Sequence, residues 1–171
     1  IGVVSARDHI EALGLIGQRR MSPVAIVGAG LAGLTAALEL GSRGVRCVLL
    51  DDDDTVGAQG LSSRGICHAK RSLEIFDRFG VAQRILAKGV TWNEGDVFVR
   101  DERIFRFNLQ PERDQKFPAF VNLQQFYVEQ YLVEAVQRMD AVSLRWKNRV
   151  AGVGQHSGHV ELDVDTPDGK Y

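Results

Sequence analysis

Ala25-Ile26-Val27-Gly28-Ala29-Gly30-Leu31-Ala32-Gly33 sets G-x-G-x-x-G where a short apolar run stops and a helical pattern starts. Upstream, Pro23 to Val27 reads as a buried strand by composition and length. Downstream, Leu31, Leu34 and Leu38 share one face of a helix that runs to Arg43, with Gly41 and Gly44 bracketing its end. Val45 to Leu50 is a second apolar run without alternation, the pattern of a strand covered on both faces. Strand, helix and strand in roughly 30 residues form a βαβ unit, and the right-handed crossover rule makes its strands parallel neighbours. The expected fold class is therefore α/β, with a Rossmann-like domain built on a parallel sheet.

Each glycine of the motif has a physical task. Gly28 permits the tight turn off the strand. Gly30 lets a pyrophosphate approach the backbone N–H groups. Gly33 lets the helix pack closely on the sheet. A pyrophosphate there sits at the positive end of the helix dipole. Asp51 stands eighteen residues beyond Gly33, at the tip of the second strand. A carboxylate at that tip accepts hydrogen bonds from a ribose diol and repels a 2′-phosphate. The motif by itself does not choose between FAD and NAD, and a βαβ turn with no ligand is its structural alternative.

Further along, residues 51–67 read as loop, with Asp52, Asp53 and Asp54 a solvated charge run. A helix is expected over Ala69–Phe79. The period then switches to two, and Val97, Val99, Ile104, Phe105 and Phe107 around Asp101-Glu102 predict a hairpin. Residues 110–118 are a polar surface loop. Asn122 reads as the N-cap of a long helix over Gln124–Met139, with Val128, Leu132, Ala135, Val136 and Met139 facing inward. A third strand is expected over Val142–Trp146, then a hairpin of Val150–Val153 with Val160–Val164.

A chain of 171 residues suffices for one domain with a core. Its net charge of -1 gives no electrostatic ground for nucleic acid or an anionic membrane as partner. No apolar run reaches the roughly 20 residues that span a bilayer, and a cytoplasmic enzyme fits. Cys47 and Cys67 read as reduced, buried thiols, and His156 and His159 as surface residues of a turn, so no metal site is expected. No Ser/His/Asp or Cys/His arrangement assigns a catalytic residue. Residues 1–20 read as an extension outside the fold. The ends, at Ile1 and just past the turn Asp168-Gly169, read as those of a fragment.

Beyond the glycine motif, Ser63-Arg64-Gly65-Ile66-Cys67, the following Lys70-Arg71-Ser72-Leu73-Glu74-Ile75 helix and Asn122-Leu123-Gln124-Gln125 occur in one order. With that motif they resemble the flavin-dependent aromatic hydroxylases, the class A flavoprotein monooxygenases, nearest the 3-(3-hydroxyphenyl)propionate hydroxylase branch. The resemblance runs from Pro23 to the end of the chain. It implies a partial FAD-binding domain over residues 21–171, with 90–120 contributing to an interleaved substrate-domain sheet. It also implies FAD as cofactor, with Asp51 on the adenosine ribose and Arg64 along the pyrophosphate or flavin side. Gln125 would meet the phosphate or ribityl region, and the Val150 backbone the adenine edge. The family's reaction takes electrons from NAD(P)H and adds one oxygen atom of O2 to a small aromatic substrate through a flavin C4a-hydroperoxide. Another FAD-dependent oxidase, dehydrogenase or reductase of this fold is the alternative reading, as is an inactive FAD-binding fragment.

Overall fold

The apolar run ahead of the glycine motif forms strand β1 (Val24–Val27), the segment after it helix α1 (Leu31–Ser42), and the next apolar run strand β2 (Cys47–Leu50). Then come β3 (Cys67–Ala69), α2 (Lys70–Asp77), α3 (Ala82–Lys88), β4 (Val90–Trp92), β5 (Glu94–Val99), β6 (Glu102–Asn108) and β7 (Phe120–Asn122). The chain closes with α4 (Gln125–Val136), β8 (Val142–Arg145), β9 (Arg149–His156), β10 (His159–Thr166) and β11 (Gly169–Lys170). This computed structural model describes residues 22–56, 65–110, 112 and 114–171. They group as two units, residues 22–56 with 136–171, and residues 65–135. The extension over residues 1–20 and the loop carrying Arg64 lie outside the described residues.

In the first unit β2 is the middle strand of a parallel sheet of order β1-β2-β8. The unalternating run predicts this position, and Cys47, Leu49 and Leu50 are buried there. Helix α1 packs on the sheet through Leu34, Ala37 and Leu38. The expectation of a buried β1 fails. Among the described residues it is an edge strand with β2 as its one neighbour in the sheet, and Val24 and Val27 remain exposed. Apolar composition names the strand, whereas burial depends on what covers it. The predicted closing hairpin is β9 with β10, joined by a turn at Ser157-Gly158 and extended by β11.

The second unit carries a small antiparallel sheet of order β3-β7-β4. Its core gathers Leu73 and Phe76 of α2, Ala82 and Ile85 of α3, Val121 of β7, and Val128, Leu132 and Val133 of α4. The sequence pattern does not mark the strands β3, β4 and β7 or the helix α3, because three-residue strands and a seven-residue helix are too short to show a period. Asn122 is a correction. It is not an N-cap but the last residue of β7, paired with both Cys67 and Val90, and its Oδ1 accepts the Trp92 indole N–H at 2.9 Å. The helix is also shorter than its pattern, since turns from Val136 to Met139 and from Met139 to Val142 lead into β8. Cys47 is buried as expected, but Cys67, on strand β3, is exposed. The β5–β6 ribbon forms where the alternation places it. Val97, Phe98, Val99, Ile104 and Phe105 are exposed on it. Among the described residues no helix is long and apolar enough to cross a membrane.

Candidate functional site

Where β1 ends, the Gly28 N–H still donates to the Leu50 carbonyl at 2.8 Å, the last rung between the two strands. Gly28 then takes φ +98°, a conformation that L side chains resist, and the chain turns into α1. A Cβ on Gly33 would lie 1.9 Å from the Gly28 carbonyl oxygen, so this close approach of helix and turn admits only glycine. Gly30 is the N-cap residue of α1 and supplies no side-chain cap, and the first turn holds no acidic residue. The first N–H groups of a helix have no partner within it. Here no side chain caps them, and Gly30 beside them is exposed.

Asp51 sits one residue past β2, its N–H donating to the Arg145 carbonyl at 3.1 Å. Its carboxylate turns back to the glycine turn. Oδ2 accepts the Ala29 N–H at 2.5 Å, and Oδ1 accepts the Asp53 N–H at 2.9 Å. The structure thus joins the second residue of the motif to an acid 22 positions away. Asp52, Asp53 and Asp54 are exposed, as a solvated run should be.

Val150 lies on β9 opposite Val164 of β10. Val164 exchanges both backbone bonds with Tyr171, N–H to carbonyl at 2.8 Å and the reverse at 3.0 Å. Its backbone therefore faces away from β9. The β9–β10 ladder shifts register between Asp163 and Val164, directly beside this pair.

Gln125 and the residue after Arg64 meet in the second unit. The Gln125 N–H donates to the Gly65 carbonyl at 3.0 Å. Its side-chain oxygen accepts the Gly65 N–H at 3.2 Å, and its amide nitrogen donates to Glu129 Oε1 at 2.7 Å. Glu129 is buried, four residues along α4. The i,i+4 spacing was visible in the sequence, but burial of an acid was not. His68 is also buried, at 6% exposure. Its Nε2 lies 3.1 Å from the Leu123 carbonyl. Burial pushes its pKa below the ordinary 6.5, against the opposing pull of that bond. His156 and His159 are exposed, their rings stacked with centroids 4.9 Å apart.

The Gly28–Gly33 turn can hold an anion on backbone donors, and Asp51 can accept hydrogen bonds beside it. That suits a nucleotide diphosphate and its ribose, and nothing in the group is placed to act as a nucleophile or general base.

Residues 21–170 match the family described as FAD binding domain. The chain is 27% identical over 152 residues to para-nitrophenol 4-monooxygenase of Pseudomonas sp. strain WBC-3, an alignment covering 85% of this chain and 36% of that protein. It is 28% identical over 146 residues to 3-(3-hydroxy-phenyl)propionate/3-hydroxycinnamic acid hydroxylase of Mycolicibacterium smegmatis, covering 85% of this chain and 25% of the relative. The crystal structure of p-nitrophenol 4-monooxygenase from Pseudomonas putida DLL-E4 superposes with a TM-score of 0.78 at 27% identity, over 88% of this chain and 38% of the other. The chain thus spans about a quarter to two fifths of the proteins it matches.

Proposed function

The chain belongs to the FAD-binding domain family, and on that premise we propose that it supplies the ADP-gripping part of an FAD-dependent monooxygenase. The protein in this reading hydroxylates a phenolic or related aromatic acid, with NAD(P)H as electron donor and O2 as co-substrate. Both curated relatives quoted above bear monooxygenase or hydroxylase names, which supports the reaction class. The observation that carries the reading is the Asp51 carboxylate drawn onto the glycine turn at Ala29, beside an uncapped helix start.

The residues fit the group. The first N–H groups of α1, with Gly30 offering no side chain, hold the pyrophosphate. A carboxylate has about four lone-pair sites. Two of those on Asp51 are engaged by backbone donors, which leaves capacity for the adenosine ribose diol. The Val150 backbone is assigned to the adenine edge. Arg64 is assigned to the pyrophosphate or flavin side. Gln125 is assigned to the phosphate or ribityl region, and its bonds to Gly65 give it the further task of holding the residue next to Arg64. Bound FAD supplies the electron transfer and oxygen chemistry, while the protein binds, orients and excludes water. Residues 90–120 are assigned to the substrate-domain sheet. The exposed apolar side chains of the β5–β6 ribbon support this, since such a surface suits a larger sheet.

The test is to purify the protein, record its visible spectrum, and follow NAD(P)H oxidation and O2 uptake with hydroxyphenyl acids and nitrophenols. Flavin bands, substrate-stimulated oxidation and a hydroxylated product are expected. Flavin bands without substrate-dependent oxygen uptake would turn the reading toward another FAD oxidoreductase. A colourless protein that takes up no added FAD would end it.

A further inference from the structure

Two residues with no place in the glycine motif hold Asp51 from behind. The end of β8 and the turn after it contribute three backbone bonds to the segment Asp51–Asp53 that follows β2. The Arg145 carbonyl accepts the Asp51 N–H at 3.1 Å, the Asn148 N–H donates to the Asp51 carbonyl at 2.8 Å, and the Lys147 N–H donates to the Asp53 carbonyl at 2.8 Å. That turn is not a relaxed one, because Lys147 takes φ +57°, which residues other than glycine seldom adopt. Something must hold it. The Asn148 side chain does so from both ends, its amide nitrogen donating to the Trp146 carbonyl at 2.7 Å and its oxygen accepting the Tyr171 hydroxyl. Tyr171 is anchored in turn by its paired backbone bonds to buried Val164, and Arg145 Nη1 lies 3.5 Å from its hydroxyl. A continuous line of bonds therefore runs from Tyr171 through Asn148 and Asp51 to the Ala29 N–H of the glycine turn.

We propose that Asn148 and Tyr171 are positioning residues for Asp51, setting its carboxylate both to fix the glycine turn and to receive a ribose diol. The diol half of this rests on the nucleotide reading above. The half that concerns Ala29 stands on the bonds alone. On the β1 side the strand tip has its last backbone rung at Gly28, so beyond the local bond from the Asp53 N–H the placement of the carboxylate depends on the turn after β8. A binding constellation works only when its supporting residues hold it within about 0.5 Å of the productive geometry.

The experiment uses the whole chain as wild type, Tyr171→Phe, Asn148→Ala and Asp51→Ala, with ADP and 2′-deoxy-ADP as calorimetric probes. Hydrogen exchange of the Ala29 amide is followed without nucleotide. The wild type is expected to prefer ADP by about tenfold, the worth of one hydrogen bond to a charged group, and Asp51→Ala to lose that preference. Tyr171→Phe, which removes only a hydroxyl, should lower the preference to about threefold and quicken Ala29 exchange several-fold, with Asn148→Ala going further. Equal weakening of both nucleotides with the preference kept, or unchanged Ala29 exchange in Tyr171→Phe, would overturn the proposal. Faster Ala29 exchange in the variants of a protein that binds neither nucleotide would overturn the nucleotide reading and leave the positioning standing.

Discussion

Gly33 and His68 show how much a single position can decide. A methyl group on Gly33 would occupy the space of the Gly28 carbonyl, so Gly33→Ala must push α1 off the turn. Overpacking of this kind costs about 1–3 kcal/mol, and the displaced helix start should also bind FAD more weakly. Urea unfolding and a flavin fluorescence titration of the variant measure the two effects. Unchanged values for both would show that the turn is not as tight as it stands here. His68 makes a prediction about pH. Its pKa is lowered in the folded chain by burial, so as pH falls through the ordinary value of 6.5 the unfolded chain takes up the proton first. The stability is full above that value and is lost as pH drops toward the lowered folded pKa. Urea midpoints at pH 7.5 and pH 5.5 should differ in that direction, and His68→Gln should narrow the difference. A midpoint that rises on acidification would contradict the assignment.

At the scale of elements, the β4–β7 pairing replaces the expected helix cap. Trp92 lies opposite Phe120 in register, the rings stack at 4.8 Å, and the indole donates to Asn122. Asn122→Ala should therefore cost about 1 kcal/mol through the lost hydrogen bond and shift Trp92 fluorescence, while the helicity of α4 is kept. A fall in helical circular dichroism with unaltered tryptophan emission would restore the capping role. The β5–β6 ribbon behaves oppositely. Phe98 and Phe105 are more than half exposed, so exchange of either for serine should change the stability of this chain by less than about 0.5 kcal/mol. A larger loss would mean that the ribbon is covered.

For the whole molecule the consequence is linkage. The glycine turn and Asp51 belong to the unit that also contains Trp146, whereas Trp92 belongs to the other. With Trp92 replaced by Phe, Trp146 is the remaining tryptophan of two, and its emission reports unfolding of the unit that carries the motif. ADP at a hundred times its dissociation constant should stabilise that unit by about 2.7 kcal/mol. A midpoint indifferent to ADP would place nucleotide binding elsewhere.

Local pattern was enough to read the βαβ start, the existence of a third strand and both hairpins, because a two- or 3.6-residue period and a glycine turn are written in neighbouring residues. Gly28, Gly30 and Gly33 were legible for the same reason, and Asp51 by its fixed distance from them. The folded chain decided what depends on residues far apart in sequence. It left β1 exposed at an edge, gave Asn122 to a strand, buried His68 and Glu129, and ran a line of hydrogen bonds from Tyr171 to Ala29. No period or spacing encodes such contacts, since each arises from a side chain meeting a partner that only the tertiary packing brings within 3 Å or so.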